Sequence, residues 1–193
     1  MTSLILESSS CKASLIVCHE GKVVEKYFFN GGSGLSQNFF LTLEKLGLDW
    51  KSLTYIACGI GPGSFTGIRI SAAIAQTFAY AHSIPLIPFC SLLAFTPSIT
   101  GPYFTAFDAK SFGIYLLKND WKEAKAVSWE DLPKYGCSQL YSPEAEGIRK
   151  RTPIPCIETE CNPSFLASYC ENKFINKEFS SSYLLPLTYL KVP

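Results

Sequence analysis

Gly59-Ile60-Gly61-Pro62-Gly63-Ser64-Phe65-Thr66-Gly67, running on through Ile68-Arg69-Ile70-Ser71-Ala72-Ala73-Ile74-Ala75-Gln76-Thr77-Phe78-Ala79-Tyr80-Ala81, decides how this chain is read. The apolar run Leu53 to Cys58 before it predicts a short buried strand, and the spacing after it predicts a helix to about Ala81. Glycines between a strand and a helix let backbone N–H groups converge near a positive helix end, which suits a phosphate. Gly61, Gly63, Ser64 and Thr66 are therefore candidate phosphate-loop residues, with a tight strand-to-helix turn as the alternative use of the same glycines. No Lys-Ser/Thr pair follows Gly67, so this is not a Walker loop, and the serine at 64 departs from the dinucleotide fingerprint.

Within the helix, Gly67, Ser71, Ala75 and Ala79 form one ridge of small residues at i, i+4 spacing, and Ala73, Thr77 and Ala81 form a second beside it. Ile68, Ile70, Ile74 and Phe78 supply bulk for a sheet. The first small ridge is thus expected to meet a helix of another molecule, at the short end of the roughly 8–10 Å range of interaxial distances.

Outward from this segment, Leu4 to Leu6, Ala13 to Cys18 and Val23 to Phe29 predict a three-strand antiparallel meander. Ser36 is placed to cap a first helix carrying Phe39, Phe40, Leu43 and Leu46, which Gly47 ends. Ile84 to Phe89 predicts a strand and Ser91 to Phe95 a short helix. The turn-rich Thr96 to Pro102 marks a lobe boundary, giving an N-terminal lobe over 1–99 and a smaller one over 100–193. In the second lobe, strands are predicted at Tyr103 to Phe107 and Gly113 to Leu117, and Asn162-Pro163 opens a helix to about Asn172. No internal repeat is visible.

The 193 residues are 47% hydrophobic with 14 Phe, 10 Tyr and 3 Trp, so the chain folds as one compact domain or two small lobes. A net charge of +1 gives no electrostatic basis for a stand-alone binder of nucleic acid or anionic membrane. The run of 38 residues from Ile70 to Phe107 has no Asp, Glu, Lys or Arg, but Pro85, Pro88 and Pro97 interrupt it, which points to burial against protein rather than a bilayer. The opening residues lack the basic segment of a secretory signal, and the eight cysteines contain no C-x-x-C pair. Both features lead to the expectation of a cytoplasmic protein with small buried thiols.

Catalytic constellations are sparse. His19 and His82 have no second histidine at metal-ligand spacing, and no nucleophile elbow is present. Glu7 and Asp108, at predicted strand ends, are the carboxylates that could hold a metal or activate water. Arg149-Lys150-Arg151 is the one basic cluster and reads as a solvated loop.

Gly61 to Arg69 running into Ala72 to Ala81, then Ile84-Pro85-Leu86 and Ser91-Leu92, closely resembles the signature of the TsaB (YeaZ) family. Phe107-Asp108-Ala109-Lys110 with Ile114-Tyr115 is similar to that family's D-A-R...E-V-Y segment, and Tyr189-Leu190-Lys191 to its Y-L-R ending. The resemblance implies an α/β fold of the actin-like ATPase type (ASKHA, ribonuclease H-like), with two lobes of mixed β-sheet flanked by helices. It also implies a non-catalytic accessory subunit, expected to bind TsaD- and TsaE-type proteins. Those complexes install threonylcarbamoyl on the adenosine beside the anticodon of tRNA. TsaD, or a second copy in a homodimer, would be met through the first two helices, with Gly67, Ser71, Ala75 and Ala79 at the seam. No metal or tightly held cofactor is expected in this chain; ATP or ADP and a divalent cation would belong to the complex, and tRNA would be reached only through it. The alternatives are an ATPase or phosphotransferase of the same fold and, behind it, a peptidase of the glycoprotease type. The chain departs from the family in having Glu7-Ser8-Ser9 for Asp-Thr-Ser and Leu35-Ser36-Gln37 for His-Ser-Glu.

Overall fold

Three strands rich in β-branched and aliphatic residues open the chain: Thr2–Glu7 (β1), Lys12–His19 (β2) and Lys22–Asn30 (β3), the antiparallel meander expected from their pattern. The computed structural model describes residues 1–180 and 182–191. β1 and β2 are buried almost end to end, whereas β3 is mostly exposed, as fits the edge strand of a sheet covered on both faces. Helix α1 (Leu35–Leu46) begins at Gly34 in the left-handed conformation, so Ser36 lies inside its first turn and is not its cap. Gly47, also left-handed at φ 55°, ends it as the spacing predicts.

β4 (Leu53–Gly59), α2 (Phe65–His82) and β5 (Leu86–Phe89) follow, with β4 parallel to both β1 and β5. The first sheet has the order β3-β2-β1-β4-β5. After a 3-10 turn at Ser91–Phe95, the second sheet is built from β6 (Phe104–Asp108), β7 (Ile114–Lys118), β8 (Lys125–Val127), β9 (Leu140–Ser142) and β10 (Cys156–Glu158), in the order β10-β9-β6-β7-β8. Each sheet is an antiparallel meander with two parallel strands added beside its first strand, so the second sheet repeats the topology of the first. This duplicated α/β arrangement is the two-lobed actin-like fold. The repeat escapes the sequence because its second copy has shrunk. α3 (Ala145–Arg149), which joins β9 to β10, has five residues, while its counterpart α2 has eighteen.

Three apolar cores hold these layers. The first lies between α1, α2 and one face of the first sheet, around Leu4, Leu6, Phe39, Ile56 and Ile74. The second fills the space between the sheets, where Ile5, Tyr55 and Phe89 meet Phe107 and Leu117. The third backs the second sheet, with Leu116, Leu140 and Ile148. Helix α4 (Pro163–Ile175) has the expected Asn162 cap, whose Oδ1 accepts from Phe165 N at 3.1 Å. It does not stay with the second sheet: Leu166, Ala167 and Cys170 are fully buried in the second core, beside β3 and β5. The C-terminal segment also returns to the first sheet. Ser180 N donates to Leu86 O (2.8 Å), Thr188 N donates to Ile60 O (2.7 Å), and Leu185 joins the first core. The first sheet thus ends with β5 at Phe89 and the second begins with β6 at Phe104, but α4, Ser180, Leu185 and Thr188 pack on the first.

Among the described residues no cysteine is paired, and Cys11 is exposed where the sequence reading expects a buried thiol. Among the described residues no helix is long and apolar enough to cross a membrane.

Candidate functional site

The glycine loop between β4 and α2 is shaped by the turn that follows β1. A methyl group at Gly67 would overlap the Ser8 carbonyl oxygen, and one at Gly63 (φ 154°) would overlap that of Ser9. Ser8 Oγ donates to Gly67 O at 2.6 Å, and Ser64 N donates to Ser9 O at 2.6 Å. Ser64 caps α2 by accepting from Gly67 N at 3.2 Å, while Gly61 N donates to Ser91 Oγ at 2.9 Å. The amides of Gly61, Ser64 and Gly67 are thus spent within the chain. The four candidate phosphate-loop residues are not brought to one place either. Gly61 is packed beneath Thr188, Gly63 and Ser64 line the cleft between the sheets, and Thr66 faces α1. The strand-to-helix turn accounts for the glycines at 63 and 67, whose missing side chains make room for the carbonyls after β1.

The small ridge of α2 also points elsewhere than expected. Gly67, Ser71, Ala75 and Ala79 are buried, the last three at 0% exposure, and they lie against the molecule's own first sheet. Close approach to a sheet needs small side chains as much as close approach to a helix does, and the carbonyl of Ser8 fills the space beside Gly67. The neighbouring ridge is the one turned outward: Ala73, Thr77 and Ala81 are exposed.

Between that ridge and α1 lies an open groove of about 390 Å³, lined by Phe40, Phe65, Arg69, Ile70, Ala73 and Thr77 among others. Phe40 and Phe65 are more than half exposed. Thr77 donates its hydroxyl to Ala73 O (2.7 Å), which leaves its methyl as the outward group. Arg69 lies over the Phe65 ring, its guanidinium carbon 3.5 Å from the ring centroid, and its Nε donates to the Tyr189 hydroxyl (3.1 Å). With Leu41, Tyr80, Tyr183 and Leu184, several of the large exposed apolar side chains gather around α1 and α2. The sequence pattern groups Phe40 with Phe39, Leu43 and Leu46 among the apolar positions of α1. One residue beyond Phe39, it falls about 100° round the helix, and that offset is the signal that sets it apart.

A second concavity, about 380 Å³, opens between the sheets and holds Ser9, Ser10, Cys11, Asp108, Lys110 and Glu144. Asp108 N donates to Glu144 Oε2 at 2.9 Å, and the Asp108 carboxylate lies 3.8 Å from Arg151 and 3.9 Å from Lys110. Burial raises the pKa of Glu144, a residue the sequence gave no reason to single out. The basic triplet is exposed, as its reading as a solvated loop expects, although each member has a partner: Arg151 lies beside Asp108, Lys150 pairs with Glu146 at 2.6 Å, and Arg149 Nε donates to Cys156 O at 2.8 Å.

Glu7 does not join this cleft. It is fully buried, accepting from the Ser9 amide (2.6 Å) and hydroxyl through Oε1, and Gly59 leaves the space that Oε2 occupies. Among the described residues Oε2 has no hydrogen-bond partner. Burial outweighs the Ser9 hydrogen bonds and pushes the pKa of Glu7 up to about 7. Among the described residues, no three His, Cys, Asp or Glu side chains are grouped as metal ligands.

Residues 37–132 match the family model of TsaD, tRNA N6-adenosine threonylcarbamoyltransferase. A tRNA threonylcarbamoyladenosine biosynthesis protein TsaB of Haemophilus influenzae is 44% identical over 52 residues, 27% of this chain and 22% of that protein. The TsaB protein of Buchnera aphidicola from Acyrthosiphon pisum is 32% identical over 81 residues, 39% of this chain and 37% of that one. The chain thus matches well under half the length of these curated relatives. A solved structure described as an uncharacterized protein with similarity to peptidase YEAZ from Pseudomonas aeruginosa superposes with a TM-score of 0.77 at 18% identity, covering 98% of this chain and 99% of its own. The chain is thus similar in sequence to TsaB proteins around the glycine loop and α2, and it shares the fold of the YeaZ-like structure over nearly its whole length.

Proposed function

We propose that the chain is a non-catalytic accessory subunit of tRNA threonylcarbamoyladenosine biosynthesis, and that it holds a TsaD-type protein in the groove between α1 and α2. The observation that carries this reading is the exposed apolar groove formed by Phe40, Phe65, Ile70, Ala73 and Thr77. Water-exposed aromatic rings on two adjacent helices mark a surface that gains free energy when covered. A TsaE-type protein joins the same assembly, and the tRNA substrate, ATP or ADP and a divalent cation that serve the modification are engaged in that assembly. In the absence of the partner, a second copy covers the same helices. The site of action is the cytoplasm.

The ATPase alternative uses the Gly59 to Gly67 loop and asks Glu7 or Asp108 to ligate a metal or a water. Glu7 is sealed beneath Gly59, and Asp108 is engaged by Lys110 and Arg151, which weighs against it. The test is reconstitution of tRNA modification from purified proteins with and without this chain, in the wild-type form and as Ala73→Arg. Ala73 is exposed, so the substitution spares the fold while placing a charge in the seam. Loss of co-elution with the TsaD-type protein and of modified tRNA is expected. Unchanged co-elution, or ATP turnover by the isolated chain, would overturn the reading.

A further inference from the structure

The most voluminous of the described cavities lies away from both the helical groove and the cleft between the sheets. It measures about 530 Å³, within the range of small-molecule sites, and sits where α4 faces the end of β7. Phe165, Tyr169 and Lys173 occupy it from α4 at i, i+4 and i+8, so two rings and an ammonium group follow one another along one side of a helix. The Phe165 and Tyr169 rings are stacked, with centroids 5.9 Å apart and planes 20° apart, and Lys173 Nζ lies 5.7 Å from the Tyr169 ring. The opposite side is supplied by Lys118, Trp121 and Lys122 from β7 and the turn after it. No Asp or Glu lines the cavity, although the whole chain carries almost balanced charge.

Aromatic walls and a local excess of ammonium groups select a ligand with a flat π-face and a negative charge. We propose that this cavity binds a nucleotide, with the base against the Phe165–Tyr169 ladder and the phosphate held by Lys118, Lys122 and Lys173. Lys118 and Lys173 now pair with Asp120 (2.6 Å) and Glu178 (2.9 Å), whose side chains are more than half exposed. Such surface pairs are weak because water screens them and two long side chains must be held in place, so a phosphate can replace them at small cost. Lys122 is exposed and available. The phosphate-bearing base can come from a free mononucleotide or from a nucleotide within single-stranded RNA, since both present the same chemistry.

Titration calorimetry of the isolated full chain, using AMP, adenosine and a short single-stranded oligoadenylate as probes, tests the proposal. AMP is expected to bind saturably, adenosine roughly tenfold more weakly, and AMP binding is expected to weaken with added salt. Lys122→Glu, at an exposed position that leaves the fold intact, is expected to weaken AMP roughly tenfold. Tyr169→Leu is expected to reduce AMP and adenosine alike, through the lost stacking. Oligoadenylate binding more than tenfold tighter than AMP would assign the site to RNA; equal or weaker binding would assign it to the free nucleotide. Ala73→Arg, in the helical groove, is expected to leave every value unchanged, which separates this site from the partner reading. Absence of saturable binding at millimolar AMP, or AMP binding unaffected by Lys122→Glu, would overturn the proposal.

Discussion

Glu7 shows how one buried residue makes stability depend on pH. Its folded-state pKa of about 7 lies above the ordinary value of 4.5, so the native state favours the protonated acid. The stabilising contribution is complete below pH ~4.5 and is lost as pH rises through ~7, a change on the order of 3 kcal/mol for this shift. Glu144, also raised by burial, acts in the same direction. Denaturant unfolding between pH 4 and pH 8 should therefore show Glu7→Gln gaining on the wild type as pH rises, because the amide stays neutral throughout. Parallel curves for the two proteins would refute the assignment. The sequence marked Glu7 as a strand-end carboxylate, but not its enclosure, since that depends on the missing side chain of Gly59 and on Ser91, far along the chain.

At the scale of one helix, α2 separates two outcomes that its sequence reading merged. Gly67→Ala would force a methyl into the Ser8 carbonyl, and Ala75→Arg would drive a charge into the first core. Both should lower stability by more than about 2 kcal/mol, visible as a fall in unfolding midpoint. Thr77→Lys, one turn from Ala73 on the exposed side, should leave that midpoint nearly unchanged while weakening partner capture. A midpoint fall for Thr77→Lys equal to that of Ala75→Arg would contradict the orientation described for α2. The helix, its Ser64 end and the preceding strand were readable because periodicity and capping are local. Which of two small ridges faced inward was not, because Ile70 and Phe78 flank the exposed side as plausibly as Ile68 and Ile74 flank the buried one. The decision came from the turn after β1, whose carbonyls fit only beside Gly63 and Gly67. The same limit applies to α4: its cap was legible, but its docking on β3 and β5 of the first sheet is a contact between segments far apart in the chain.

For the molecule as a whole, the core between the sheets joins the two halves. Ile5, Tyr55 and Phe89 share it with Phe107, Leu117 and Leu166. Unfolding should therefore be a single transition whether followed through Trp50 in the first half or Trp121 and Trp129 in the second; two separated midpoints would contradict the shared core. Leu185→Ala should shift the entire transition by roughly 2 kcal/mol, because Leu185 belongs to the first core despite its place near the C-terminal end. That placement of the C-terminal segment also has a temporal consequence. Leu86 and Ile60 wait for partners, Ser180 and Thr188, that leave the ribosome about a hundred residues later, roughly 5–20 s at ordinary elongation rates. During that interval the nascent chain carries an unclosed glycine turn and an open seat for Leu185, and these are the features a chaperone would meet before translation delivers the strap that covers them.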